Sequence, residues 1–294
     1  MHVLRALEAS KISVRPVTAG WEPPPRIDTR LRVMTWNLWW RFGPWEARQS
    51  AILETLRAVD ADIYCFQEVW ETRDGESQLA GFAEELGMHH FGAAGLDLEL
   101  APESLGNGIL SRWPITATEF RPLPAPRDLN ELRVVLRADI DGPRGPIEVF
   151  CTHLNWRMDQ SDVRQDQLRA VCEFIDETKD RRTFPPILCG DLNAEPSSDE
   201  IRMMTGHSKA AVPKLIFFDT WAAAGDGPGY TWMHENPFTQ LDADPRQARI
   251  DYVLVGYPHE KAAGEPVACE VAGNKPADGV WPSDHYGVVA ELRY

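Results

Sequence analysis

Apolar residues along this chain fall mostly into short runs, each cut by proline, glycine or a polar cluster, which is the pattern of strands. Such runs occupy residues 31–38, 62–69, 107–112, 115–120, 132–140 and 147–154. Another, Pro186-Ile187-Leu188-Cys189, stops at Gly190 and leaves Asp191 and Asn193 in a loop just past the strand end. Residues 248–255 and a closing run that follows Gly287 complete the set. Several consecutive strands with short breaks suggest antiparallel pairing.

Helical spacing is rarer. Trp45, Ile52, Leu56 and Val59 recur at intervals of seven, four and three, and Leu168, Val171, Cys172 and Ile175 share a face. These spacings predict helices over 44–59 and 161–179. Residues 75–87 read as a surface helix, and the glycine-rich, acidic stretch up to Glu103 reads as loop. Ser197-Ser198-Asp199-Glu200 has the S-x-x-E form of a capping box, which predicts a short helix there. Apolar runs at 215–221 and 230–232 lie between Gly and Pro breaks, and 235–246 reads as a solvated polar loop. Residues 1–30 end near Pro23-Pro24-Pro25, which forbids regular helix or central strand and marks an appended arm.

The polar residues that interrupt or end the apolar runs are the candidates for chemistry. Glu68 and Asp251 each stand as the lone acid inside an apolar strand, a costly placement unless the carboxylate is paired or holds a metal. A metal is favoured for Glu68, and Asp251 needs a cation or metal nearby. Asp191 and Asn193 are two apart, so an extended chain would point them the same way to hold a water and a phosphoryl oxygen; a plain turn is the alternative. Asn37 either orients a metal-bound carboxylate or phosphate oxygen, or stabilises a turn. His153 sits near a strand end. In Ser283-Asp284-His285, directly before the last strand, neighbouring side chains diverge and take separate jobs.

Size and charge narrow the picture. With 294 residues, 43% of them hydrophobic, the chain can bury one large core, so a single domain over 31–294 after an arm over 1–30 is expected. The net charge of −15 works against broad attraction to nucleic acid, although a local basic groove can exist on an acidic protein and metal-binding carboxylates add to that sum. Five cysteines without C-x-x-C spacing read as buried free thiols in a reducing compartment. The first residues lack a signal-like apolar core, and no run approaches the ~18 apolar residues of a membrane span. A soluble, cytoplasmic chain is the expectation.

The ordered series Trp36-Asn37, Gln67-Glu68, Thr152-His153-Leu154, Gly190-Asp191-Leu192-Asn193, Ile250-Asp251-Tyr252 and Ser283-Asp284-His285 resembles the endonuclease/exonuclease/phosphatase superfamily over about residues 31–294. The resemblance implies an α/β (α+β) four-layer sandwich, two mainly antiparallel sheets flanked by helices, and phosphoester hydrolysis with Mg²⁺ or Mn²⁺. Carried across by position, it makes Glu68 the principal metal ligand, with Asn37 beside it and Asp284 completing the metal environment directly or through water. Asp191 and Asn193 would orient and activate the attacking water, and Asp251 would hold His285 protonated to bind or neutralise the phosphate. His153 would contact the phosphoryl group or assist the leaving oxygen, and Asn107 would bind substrate near the phosphate.

The motifs do not choose a substrate. Trp39, Trp40, Trp70, Trp156 and Trp281 would offer flat walls if they face a cleft, core packing being the alternative, and Arg41, Arg112, Arg157 and Arg164 could supply phosphate contacts. A phosphodiester or monoester of a small molecule or lipid head group is favoured over a DNA or RNA nuclease, because there is no dense Lys/Arg run. A noncatalytic binding module with the same fold is the third reading. No integral membrane association is expected, and the sequence sets no oligomeric state.

Overall fold

The apolar runs pair into two sheets, seen in a computed structural model that describes residues 25–94, 103–125, 132–178, 184–241 and 245–294. Most of the arm, residues 1–24, lies outside the described residues. In chain order the elements begin β1 (Arg30–Asn37), α1 (Trp45–Val59), β2 (Ile63–Thr72), α2 (Gln78–Leu86), β3 (His89–Ala94) and β4 (Glu103–Ser111). They continue β5 (Ile115–Pro122), β6 (Val134–Gly142), β7 (Gly145–His153), α3 (Ser161–Thr178), β8 (Ile187–Asp191) and α4 (Asp199–Met204). The last are β9 (Phe217–Asp219), α5 (Thr220–Ala224), β10 (Asp251–Gly256), β11 (Pro266–Ala272) and β12 (Gly287–Arg293).

One sheet runs β11-β12-β1-β2-β4-β3 and the other β5-β6-β7-β8-β10-β9. Each has one parallel pair at its centre, β1 with β2 and β7 with β8, and its other pairs are antiparallel. Inward residues of both sheets, among them Val33, Cys65, Leu136, Cys151, Val253 and Ala290, make the core between them. Helices cover the outer faces. Ile52 and Leu56 of α1 and Phe82 of α2 pack on Trp36, Tyr64 and Phe66, while Leu168, Val171 and Ile175 of α3 and Ile201 of α4 pack on Phe150 and Leu188. The order helix, sheet, sheet, helix is the expected four-layer sandwich.

Two expectations are corrected. Residues 89–94 are an edge strand, not loop; His89-His90-Phe91-Gly92 has no clean alternation, and Gly92 sits close to its neighbours, where a Cβ would lie 2.8 Å from a Leu79 methyl and 3.3 Å from the Asn107 carbonyl oxygen. A helix does start at Asp199, but the capping box is not made. Ser198 instead donates to the Glu195 carbonyl, and Glu200, fully buried, accepts from Arg164 Nε at 2.9 Å and so ties α4 to α3. The apolar run at 215–221 holds only a three-residue strand, because Asp219 accepts from Trp221 N and Ala222 N and turns the chain into α5.

This topology gathers the chemistry at one end. The parallel strands β1, β7 and β8 finish together with Asn37, His153 and Asp191, and β10, running antiparallel to β8, starts there with Asp251 directly opposite Asp191. Gly190 lets β7 and β8 approach: a Cβ would fall 2.1 Å from the Thr152 carbonyl oxygen. His153 and Asp191 are register partners as a result.

Candidate active site

Glu68 owes its direction to a bulge. In the β2–β4 pairing Gln67 faces Asn107 and Val69 faces Gly106, so Glu68 is left over, and its φ of 57° lies in the left-handed region that a branched-free acid enters only at a cost. Its Oε1 accepts from Asn37 Nδ2 at 3.2 Å, while its Oε2 is buried with no hydrogen-bond partner among the described residues. Asn37 Nδ2 also reaches Asp191 Oδ2 at 3.1 Å, and its oxygen accepts from Trp39 N at 2.9 Å. One carboxamide therefore fastens the acids of both sheets to each other.

Asp191 is almost wholly buried, and its other oxygen accepts from Asn193 N at 2.9 Å. Asn193 does not continue an extended chain; its φ is 48°, and the bend brings its Nδ2 to 3.2 Å from His153 Nε2 and 3.1 Å from the Leu154 carbonyl. That donor makes Nε2 of His153 the acceptor, which leaves the proton on Nδ1, 4.0 Å from Glu68 Oε1 and otherwise unpartnered among the described residues. Burial, with the nearby charges of Arg133 and His285, holds His153 well below its usual pKa, so it is neutral.

His285 is the opposite case. Burial opposes its charge, but Asp251, Asp191 and Asp284 together hold it well above the usual imidazole value. Its Nδ1 is 2.9 Å from Asp251 Oδ2 and its Nε2 3.7 Å from Asp191 Oδ2. Ligand atoms of Asp191, Asp251 and His285 lie within 4.8 Å of one another, the spacing of a cation cage. A protonated imidazole has no lone pair to give a metal, so these three groups form a charge-paired relay. Glu68 and Asp284 fit a hard cation better, the first by its orphaned buried oxygen and the second by its burial near Glu68. Burial raises both Asp191 and Asp284 to about 7; Asp251 adds to the first and Glu68 to the second.

The structure thus brings Asn37, Glu68, His153, Asp191 and Asn193 into one hydrogen-bonded group, sets the bonded pair Asp251 and His285 against it at 3.7 Å from Asp191, and sets Asp284 beside it. Asn107 stands at the edge, its Nδ2 donating across the sandwich to the Val134 carbonyl at 3.0 Å. Three of the four candidate arginines are engaged elsewhere. Arg41 pairs with Glu103 and lies between the Trp45 and Trp70 rings, Arg112 pairs with Asp60 and Asp62, and Arg164 with Glu200. Of the candidate tryptophans, Trp70 is buried and Trp156 is 55% exposed.

Sequence reasoning missed the residues that hold the turn at 283–285. Asn236, inside the stretch read as a solvated loop, is fully buried and donates to the Ser283 and Asp284 carbonyls at 2.8 and 3.2 Å. The Thr231 hydroxyl accepts from Ile250 N and Asp251 N at 3.1 and 3.3 Å, and the Trp232 ring stands edge-on 5.0 Å from His285. Their one signal was an Asn and a Thr among turn residues, too common to stand out.

A helix-flanked double sheet that gathers buried carboxylates and two imidazoles at the ends of its central strands defines a chain with a polar, hydrolase-like centre. Residues 34–285 match the Endonuclease/Exonuclease/phosphatase family, and the chain belongs to that family. It is 24% identical to a putative neutral sphingomyelinase of Drosophila melanogaster, over 90% of this chain and 60% of that protein. It is 29% identical to protein angel homolog 2 of Bos taurus, over 52% of this chain and 30% of that protein. The chain spans less than two thirds of either relative. Among solved structures, an endonuclease/exonuclease/phosphatase from Beutenbergia cavernae superposes with a TM-score of 0.67 at 25% identity, covering 90% of this chain and 71% of that one.

Proposed function

We propose that this chain is a divalent-metal-dependent hydrolase of phosphoester bonds, acting as a phosphodiesterase or phosphatase on a small-molecule or lipid head-group substrate. The observation that carries the reading is the joining, through Asn37, of an acid with an orphaned buried oxygen, Glu68, to the relay of Asp191, His285 and Asp251. Glu68 and Asp284, with the remaining lone pair of the Asn37 oxygen, would hold Mg²⁺ or Mn²⁺. Bound there, such an ion supplies a Lewis acid that draws charge from a phosphoryl oxygen.

The chain's own groups account for the rest. Asp191, whose carboxyl sits near 7, is placed to accept a proton from water, with Asn193 fixing its orientation. His285, kept cationic by Asp251, offers its Nε2 proton to a phosphoryl oxygen and offsets charge that grows in the transition state. Neutral His153 presents its Nδ1 proton beside Glu68, where the departing oxygen or a phosphoryl oxygen can accept it. Asn107 borders the same end and is assigned to substrate. Supporting the small substrate over long nucleic acid are the net charge of −15 and the ion-paired state of Arg41, Arg112 and Arg164. No helix among the described residues is long and apolar enough to cross a membrane, and all five cysteines are buried and free, which favours a reducing compartment such as the cytoplasm.

The test is hydrolysis of bis-p-nitrophenyl phosphate, p-nitrophenyl phosphate and single- and double-stranded DNA with Mg²⁺, Mn²⁺ or EDTA, for the wild type and His285→Ala. Cleavage of the diester or monoester that needs metal and drops at least about 100-fold in the variant is expected. Preference for DNA would move the assignment to a nuclease, and cleavage insensitive to EDTA would remove the metal from the scheme.

A further inference from the structure

Arg48 sits in the first turn of α1, where the helix dipole disfavours a cation, and none of it is exposed. What recruits it is a ring of carbonyls. Nη1 donates to Leu38 and Pro282 at 2.8 and 2.9 Å, and Nη2 donates to Trp39, Trp40 and Phe42 at 2.9, 2.8 and 3.1 Å. Four of these carbonyls belong to the loop that follows Asn37, and the fifth lies two residues before Asp284. The loop needs a restraint, since Trp39 and Trp40 both have positive φ, 57° and 34°. That loop and the turn before Asp284 are also stitched directly, by the Ser283 hydroxyl donating to the Asn37 carbonyl at 2.7 Å. Burial pulls the guanidinium down to about 10, against the charges of Asp284 and Glu68, so it stays cationic at neutral pH.

We propose that Arg48 is the positioning residue of this site: its guanidinium joins the Asn37 loop to the Asp284 turn and thereby sets the two arms of the metal-binding end at a fixed separation. The inference rests on the reading of Asn37, Glu68 and Asp284 as the cation site. Geometry makes arginine the residue required. A planar fork with several N–H donors reaches five carbonyls on two segments at once, whereas a lysine ammonium has three donors at one point. Arg48 touches no reacting atom, so its effect passes through the placement of Asn37 and Asp284.

The test uses the full chain with Arg48→Lys, which keeps the charge, and Arg48→Met, which keeps only bulk. Mn²⁺ binding is measured by electron paramagnetic resonance at a temperature where circular dichroism shows each variant folded, together with kcat and KM on bis-p-nitrophenyl phosphate. In both variants the Mn²⁺ dissociation constant is expected to rise about tenfold or more, with kcat falling by a similar factor and KM within about twofold. A folded Arg48→Lys that binds Mn²⁺ as the wild type does would overturn the role of Arg48 alone. Failure of both variants to fold would overturn it as well, by assigning Arg48 to the fold rather than to the site. A wild type that binds no Mn²⁺ would remove this inference and the metal-dependent reading beneath it.

Discussion

Asp251 and His285 show how much a single buried charge decides. The imidazole is nearly buried, and desolvation alone would make it neutral; the carboxylate 2.9 Å away reverses that outcome. In Asp251→Asn the hydrogen bond can survive but the charge is gone, so the His285 pKa must fall. Activity that needs imidazolium then loses its alkaline range: the basic limb of the pH–rate profile is expected to move toward acid by about 1–3 units. The rate at pH 8 is expected to fall about 100-fold. Rates measured from pH 5 to 10 decide it, and an unmoved basic limb would show that His285 does not act as a cation. Glu68 carries a different kind of cost, a left-handed backbone position of about 1–3 kcal/mol, which turns its carboxylate into the site instead of along the strand.

At the level of elements, the close contact of β7 with β8 is what aligns His153 with Asp191. Gly190 is the residue that permits it, since a methyl there would lie 2.1 Å from the Thr152 carbonyl oxygen, and backbone cannot swing aside as a side chain can. Gly190→Ala is expected to destabilise the chain by about 1–3 kcal/mol or more as an overpacked position. It is also expected to lower kcat, because the strands must separate beside His153 and Asp191, to which the proposed function gives the chemistry. Thermal melts and kinetics on the folded fraction check both, and a variant with wild-type melting and wild-type kcat would mean that β7 and β8 tolerate a wider spacing. The α3–α4 contact is held differently, by the buried pair Arg164 and Glu200, with Arg164 also donating to the Asn155 and Arg157 carbonyls just past His153. The helices thus support the loop after β7.

For the whole molecule, the gathered carboxylates tie stability to pH and, under the proposed function, to metal. Asp191 and Asp284 sit near 7 in the folded chain against 3.8 as their ordinary value, so between about pH 4 and 7 the native state holds protons that the unfolded state has released. Their contribution to stability therefore falls as pH rises through that window. His285, raised above its ordinary value, contributes stability that is full below about pH 6.5 and is lost as pH climbs through its folded pKa. Both effects have the same sign; His153, held below its ordinary value, opposes them up to about pH 6.5, but it is one proton against the two of Asp191 and Asp284. In EDTA the melting temperature is expected to decline from pH 5.5 to 7.5 and beyond. Saturating Mg²⁺ at pH 7.5 is expected to raise it by about 4 °C, the effect of about 100-fold excess over Kd on a chain this size. Melting curves with and without chelator test this, and a melting temperature in EDTA that rises over the window would contradict the burial of these acids.

The sequence by itself determined most of the strands, the two principal helices and the polar residues that the fold gathers at one end, because an apolar run ending in a lone acid or amide is legible wherever burial makes polarity expensive. It also pointed to the Asp251–His285 partnership through the order of its motifs. Tertiary structure alone decided the connections among them. Which sheet each strand joins, the bulge that turns Glu68, the left-handed bend that carries Asn193 to His153, and the diversion of Glu200 from its cap to Arg164 all depend on residues distant in the chain. The same is true of Arg48, Thr231 and Asn236, which work by bonding backbone carbonyls or amides that any sequence would offer. Their meaning lies in where the fold places those groups, which local patterns cannot encode.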